Sequence, residues 1–141
     1  MSTTNDISIA RNRLIKSRLS FIIVKNGKII AKSKSSGIKS LVDAITKYQE
    51  NIVGAALADK VVGRAAILLA AKAKVCSVYA KLVSLSALEL ASSLQFALIY
   101  DNTTKKILNR RKNDICPFEK IVMNTDDPEK AYQDLRQCTI F

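Results

Sequence analysis

The feature that most constrains this chain is a pair of strand-length apolar runs, residues 54–58 and 75–80, bracketing a stretch rich in small residues, 60–72. Two strands joined through a helix within about 27 residues form a βαβ unit, and such a crossover makes the strands parallel. Parallel strands need cover on both faces, so this segment commits the chain to an α/β architecture. Gly63, Ala65, Ala66, Ala70 and Ala71 let the intervening helix approach the sheet closely.

The remaining segments supply the other layers. Ile7, Ala10 and Leu14 recur at helical spacing among basic residues, which predicts an amphipathic helix over 6–19 lying on the domain. Asn26-Gly27 between the β-branched runs 21–25 and 28–32 predicts an antiparallel hairpin, because both turn residues tolerate positive φ. After a break at Ser36-Gly37, Ile38, Leu41, Val42, Ile45 and Tyr48 follow the pattern of a helix that ends near Asn51. Ser86-Ala87-Leu88-Glu89 matches a capping box and opens a helix to about Leu94. Residues 96–100 read as a strand, 101–104 as a turn and 105–108 as a short edge strand. Pro117 opens a helix to about Met123, and Asp127-Pro128-Glu129 combines the N-cap, first-position proline and acidic first turn of a last helix. The expected fold is α/β, a mixed sheet with a hairpin at one side and helices on both faces, in one domain spanning 1–141.

Charge narrows the function classes. Residues 1–40 carry nine Lys/Arg against one acid, Asp6, whereas residues 41–141 carry 14 against 11. The net charge of +11 is therefore concentrated in the N-terminal region, where Arg11, Arg13, Lys16 and Arg18 can contact phosphates or acidic lipids or simply form a solvated face. No interleaved aromatics make a single-strand stacking platform, so nucleic acid is the lesser expectation. Three cysteines at irregular spacing argue against a disulfide scaffold, and there is neither an apolar leader nor a run long enough for a membrane span. A cytoplasmic protein with no membrane partner is expected.

Chemistry in open α/β sheets gathers at the carboxyl ends of parallel strands. There Asp59, Lys60 and Arg64 can set a carboxylate and two cations around a polar ligand, or else act as an N-cap and surface charges beside a packing glycine, Gly63. Farther on, Pro117 puts Cys116 near an N-cap and Glu119 in a first turn, where backbone N–H groups favour negative charge. That position can activate a thiol, or the pair can be purely structural. The lone Gly63 makes no phosphate loop, and the absence of histidine excludes Ser-His-Asp and Cys-His machinery. Cys76, Cys116 and Cys138 lie in different elements, so no metal site and no cofactor is expected.

Asp59-Lys60 with Gly63-Arg64-Ala65-Ala66, then Ser86-Ala87, Asn109-Arg110 and Cys116-Pro117-Phe118-Glu119, resembles a small family of uncharacterised prokaryotic proteins with the cytidine-deaminase-like fold, over about residues 14–136. The resemblance implies a three-layer α/β/α domain with a mixed five-stranded sheet. Zinc deaminases carry H-x-E and P-C-x-x-C at two helix starts, and this chain has neither. What the resemblance implies instead is a polar constellation at the same edge, with Cys116, Glu119, Asp59 and Lys60 as catalytic candidates and Gly63, Arg64, Ser86, Asn109 and Arg110 as ligand-binding candidates. The expected function is binding of a small polar or nucleoside-like ligand without zinc-dependent deamination, as enzyme, as non-catalytic regulatory module or as an oligomer of either.

Overall fold

The computed structural model describes residues 3–35, 37–109 and 111–138. In chain order the elements are α1 (Thr3–Lys16), β1 (Phe21–Lys25), β2 (Lys28–Ser33), α2 (Lys39–Tyr48), β3 (Ala56–Val62), α3 (Arg64–Ala73), β4 (Ser77–Ser84), α4 (Leu85–Ser93), β5 (Ala97–Thr104), α5 (Pro117–Ile121) and α6 (Pro128–Arg136). A 3₁₀ turn, Gln49–Ile52, follows α2 directly.

The sheet order is β2-β1-β3-β4-β5. β3, β4 and β5 run parallel, and β1 is antiparallel to both β2 and β3, so the sheet is mixed. The Asn26-Gly27 turn forms as its residue types demand, with φ of 53° and 76°, and the buried Asp6 carboxylate accepts from both turn N–H groups at 3.0 and 2.9 Å. That contact anchors α1 to the hairpin.

Phe21, Ile22, Ile23 and Val24 are all buried because both faces of β1 are covered. On one side Ile22 and Val24 join Ala56, Ala58 and Tyr79 beneath Ile7, Ala10 and Leu14 of α1. On the other, Phe21, Ile23, Leu57, Val78 and Ala80 meet α2, α3, α4 and α6. Ile67, Leu68 and Leu69 of α3 are fully buried, each worth about 1.5–3 kcal/mol relative to exposure.

Several boundaries differ from the sequence expectation. β3 runs on to Val62, because the β-branched Val61 and Val62 stay in register with Leu82 and Val83, so the helix starts at Arg64 rather than Lys60. The cap of α4 is Ser84, whose Oγ accepts from the Ala87 N–H at 3.1 Å; the 86–89 capping box does not form, and Ser86 and Glu89 are exposed. Residues 101–104 continue β5 in register with the end of β4, since polar side chains are tolerated on an edge strand. Residues 105–108 form no strand; a single bridge, Leu108 to Ile115, closes that loop.

Candidate functional site

β3, β4 and β5 end at Val62, Ser84 and Thr104, and α3 and α4 begin at that same edge. Gly63 is the N-cap of α3 and has no side chain to satisfy the first N–H groups. Glu119, from α5, does it instead. Its Oε1 accepts from the Arg64 N–H at 2.8 Å and its Oε2 from the Ala65 N–H at 2.9 Å. The carboxylate spans the positive end of the helix with two charge-assisted hydrogen bonds. A Cβ on residue 63 would collide with that carboxylate, so glycine is what lets Glu119 reach the helix.

Arg64 then ties down the segment that carries Glu119. Its Nη2 donates to the Thr125 carbonyl at 2.5 Å and to Asp126 Oδ1 at 2.6 Å, and its Nε to the Val122 carbonyl at 3.4 Å. With only 16% of its side chain exposed, this guanidinium is a fastener within the protein.

Beside these groups lies an open cleft of about 110 Å³. Lys105 and Lys106 supply cations, Ser84 and Ser86 hydroxyls, and Ile107, Ile115 and Met123 an apolar wall, with Arg64 and Glu119 completing the lining. Three of the expected site residues, Arg64, Ser86 and Glu119, therefore meet at one edge. Lys105, Lys106 and Met123 carry no motif, and their only sequence signal was a basic pair beyond a strand end.

The other candidates stand apart from the cleft lining. Asp59 and Lys60 are consecutive in β3 and point to opposite faces of the sheet. Asp59 is cross-strand partner to Phe21 and Ala80 on the α3 side, half-buried, and desolvation pushes its carboxyl pKa from 3.8 up to about 7 against the opposing hydrogen bonds from Val61 and Lys60 N–H. Lys60 is exposed. Cys116 is half-buried at the N-cap of α5 and gives no side-chain cap bond; its backbone N–H donates to the Ile107 carbonyl at 2.9 Å. Asn109 donates from Nδ2 to Asn113 Oδ1 at 2.9 Å and its Oδ1 accepts from the Asn113 N–H at 3.2 Å. Arg110 lies outside the described residues.

A family model described as a domain of unknown function (DUF1893) matches residues 9–138. The chain belongs to the DUF1893 family. It is similar to the crystal structure of a DUF1893 family protein from Thermotoga maritima, with 30% identity and a TM-score of 0.86 over 96% of this chain and 91% of that one. The apo crystal structure of the dCMP deaminase from cyanophage S-TIM5 superposes with a TM-score of 0.50 at 17% identity, over 70% of this chain and 96% of that one, a likeness of fold. This DUF1893 chain thus has the expected α/β fold, a mixed five-stranded sheet with helices on both sides, structurally similar to a dCMP deaminase. A search of curated proteins finds no significant match.

Zinc deaminases place an H-x-E and a P-C-x-x-C motif at the two helix starts. In this family member those turns read Gly63-Arg64-Ala65-Ala66 and Ser84-Leu85-Ser86-Ala87, without imidazole or thiol, and the N–H groups opening α3 are taken by Glu119. The residues present do not fit a catalytic zinc. Among the described residues no group of three His, Cys, Asp or Glu is arranged to hold a metal ion, and no helix is long and apolar enough to cross a membrane.

Proposed function

We propose that this DUF1893 domain binds a small polar or nucleoside-like ligand in the cleft between the start of α4 and the 105–123 segment, as a binding module without zinc-dependent deamination. The observation that carries this reading is the composition of the cleft: Ile107, Ile115 and Met123 opposite two hydroxyls, with Lys105 and Lys106 beside them. An apolar wall with a few polar groups is the usual make-up of a small-molecule site. At about 110 Å³ the cleft is smaller than the typical 300–1,000 Å³ of such sites, so it holds one ring of a ligand and leaves an anionic tail at the two lysines. Binding is favoured over catalysis because Glu119 and Arg64 spend their polar atoms on α3 and on the α5–α6 connection. Under the enzyme reading Cys116, next in sequence to the lining residue Ile115, is the candidate nucleophile and Glu119 the acid/base candidate that lines the cleft.

Thermal shift across nucleosides, nucleoside monophosphates and simple carboxylates tests this. A monophosphate is expected to stabilise the protein by about 2–3 kcal/mol at a hundred times its Kd, and Lys105→Glu with Lys106→Glu should abolish the shift. A panel with no stabiliser, or a shift indifferent to that double variant, overturns the site. Turnover of a bound compound that is lost in Cys116→Ala would establish the enzyme instead.

A further inference from the structure

The tip of the β1–β2 hairpin carries a charge arrangement that folding alone disfavours. Lys25 on β1 and Lys28 on β2 are direct cross-strand partners. That pairing sets their Cβ atoms about 4.5–5.5 Å apart, and like charges so placed are destabilising. Lysines commonly guard an edge strand, which accounts for Lys28 and Lys32 on β2. It does not account for Lys25, which lies on the inner strand β1. Among the described residues none of the three forms an ion pair, and residues 21–34 carry four lysines and no acid.

Both tip lysines line an open groove of about 400 Å³ between the hairpin and the end of α2, and it shares no residue with the cleft beside Glu119. Ile29, Ile30 and Tyr48 form its apolar and aromatic wall, and Asn26 and Asn51 contribute amides. Lys47 lies over the Tyr48 ring at 5.3 Å, a third cation beside the groove. No carboxylate is in the lining. Asp6 is buried and bonded to the Asn26 and Gly27 N–H groups, and Glu50, next to Asn51 in sequence, lies outside the lining. The Asp6 contacts also fix the tip, so the two lysines are presented from an anchored turn.

We propose that this groove binds single-stranded nucleic acid, with phosphates at Lys25 and Lys28 and one base against Tyr48 and Ile29. Single strands are held by cations on the backbone, an aromatic surface for a base and polar groups at base edges. The groove brings those three together, and its volume falls within the roughly 300–1,000 Å³ of sites that enclose a small ligand. Phosphates relieve the opposed lysines. The basic N-terminal segment has no interleaved aromatics of its own; Tyr48 comes from α2, and only the fold sets it beside the hairpin. An acidic peptide supplies the charge but offers no planar base to Tyr48.

The probe is a fluorescein-labelled RNA of mixed sequence and about 12 nucleotides, with its DNA counterpart, a length within the site sizes of such proteins. Each is titrated against the full chain by anisotropy between about 50 and 200 mM salt. Lys25→Gln with Lys28→Gln is expected to weaken binding at least fivefold and to lower the slope of log affinity against log salt by about 1.4, since each phosphate contact on a single strand adds about 0.7. Relief of the opposed charges should leave that variant at least as thermally stable as the parent. Tyr48→Leu should weaken binding several-fold with the slope unchanged. Lys60→Gln with Lys81→Gln, an equal charge change at exposed positions on β3 and β4, should change it less than twofold. No binding of either strand at low salt, a slope unchanged in the Lys25/Lys28 variant, equal loss from the β3/β4 pair, or equal affinity for a poly-glutamate peptide of the same charge each overturns the proposal.

Discussion

Gly63 and Glu119 form one device although 56 positions separate them: the carboxylate that caps α3 occupies the space a side chain on residue 63 would need. Gly63→Ala pushes that carboxylate off both N–H groups, and Glu119→Ala removes it. Each is expected to cost about 1–2 kcal/mol, the usual worth of an N-cap. Because both lose the same interaction, the double variant should cost little more than either alone. Urea unfolding of the four proteins reads this directly, and additive losses would mean the two residues act separately.

Arg64→Lys keeps the charge and loses the fork that reaches Val122, Thr125 and Asp126 together. The expected cost is about 1–2 kcal/mol, concentrated in the α5–α6 connection. Hydrogen exchange at residues 122–127 should quicken while exchange in β3 and β4 stays as in the parent. Uniform acceleration across the sheet would show that Arg64 supports the core as a whole.

Asp59 should make stability pH-dependent in an unusual direction. Its folded pKa is raised to about 7 from 3.8, so between those values the folded protein holds a proton that the unfolded chain has released. Its contribution is full below the unfolded pKa and is lost as pH rises through the folded one. Stability therefore falls across that window and levels off above it. Asp59→Asn should flatten the slope and raise stability at pH 8 by at least about 1 kcal/mol. A variant with an unchanged slope would assign the titration to another group.

Much of this fold was legible from local patterns. The hairpin turn is set by two residues that accept positive φ, with Asp6 of α1 adding the acceptors for their N–H groups, and α6 is set by an aspartate and a proline in sequence. The ends of β3 and β5 escape local patterns for the opposite reason: Asp59, Lys60 and Asp101 look like turn or cap residues, and pairing with neighbouring strands, β1 and β4 for β3 and β4 for β5, keeps them extended. The same pairing put Asp59 and Lys60 on opposite faces, which no reading of them as adjacent charges captures. Of the candidate site, Arg64, Ser86 and Glu119 lie at one edge because each falls in the first turn of a helix, although α3 and α4 do not start where local patterns put them, whereas Lys105 and Lys106 belong to a loop whose course has no periodicity.

By itself, then, the sequence determined the layer order of the protein, since parallel strands with small-residue helices between them can bury their apolar faces in few ways. It also determined that histidine-based chemistry is absent. Only the tertiary structure decided what Glu119 does. The first N–H groups of a helix will take whichever acceptor the fold delivers, and here packing brought a carboxylate from α5 to α3.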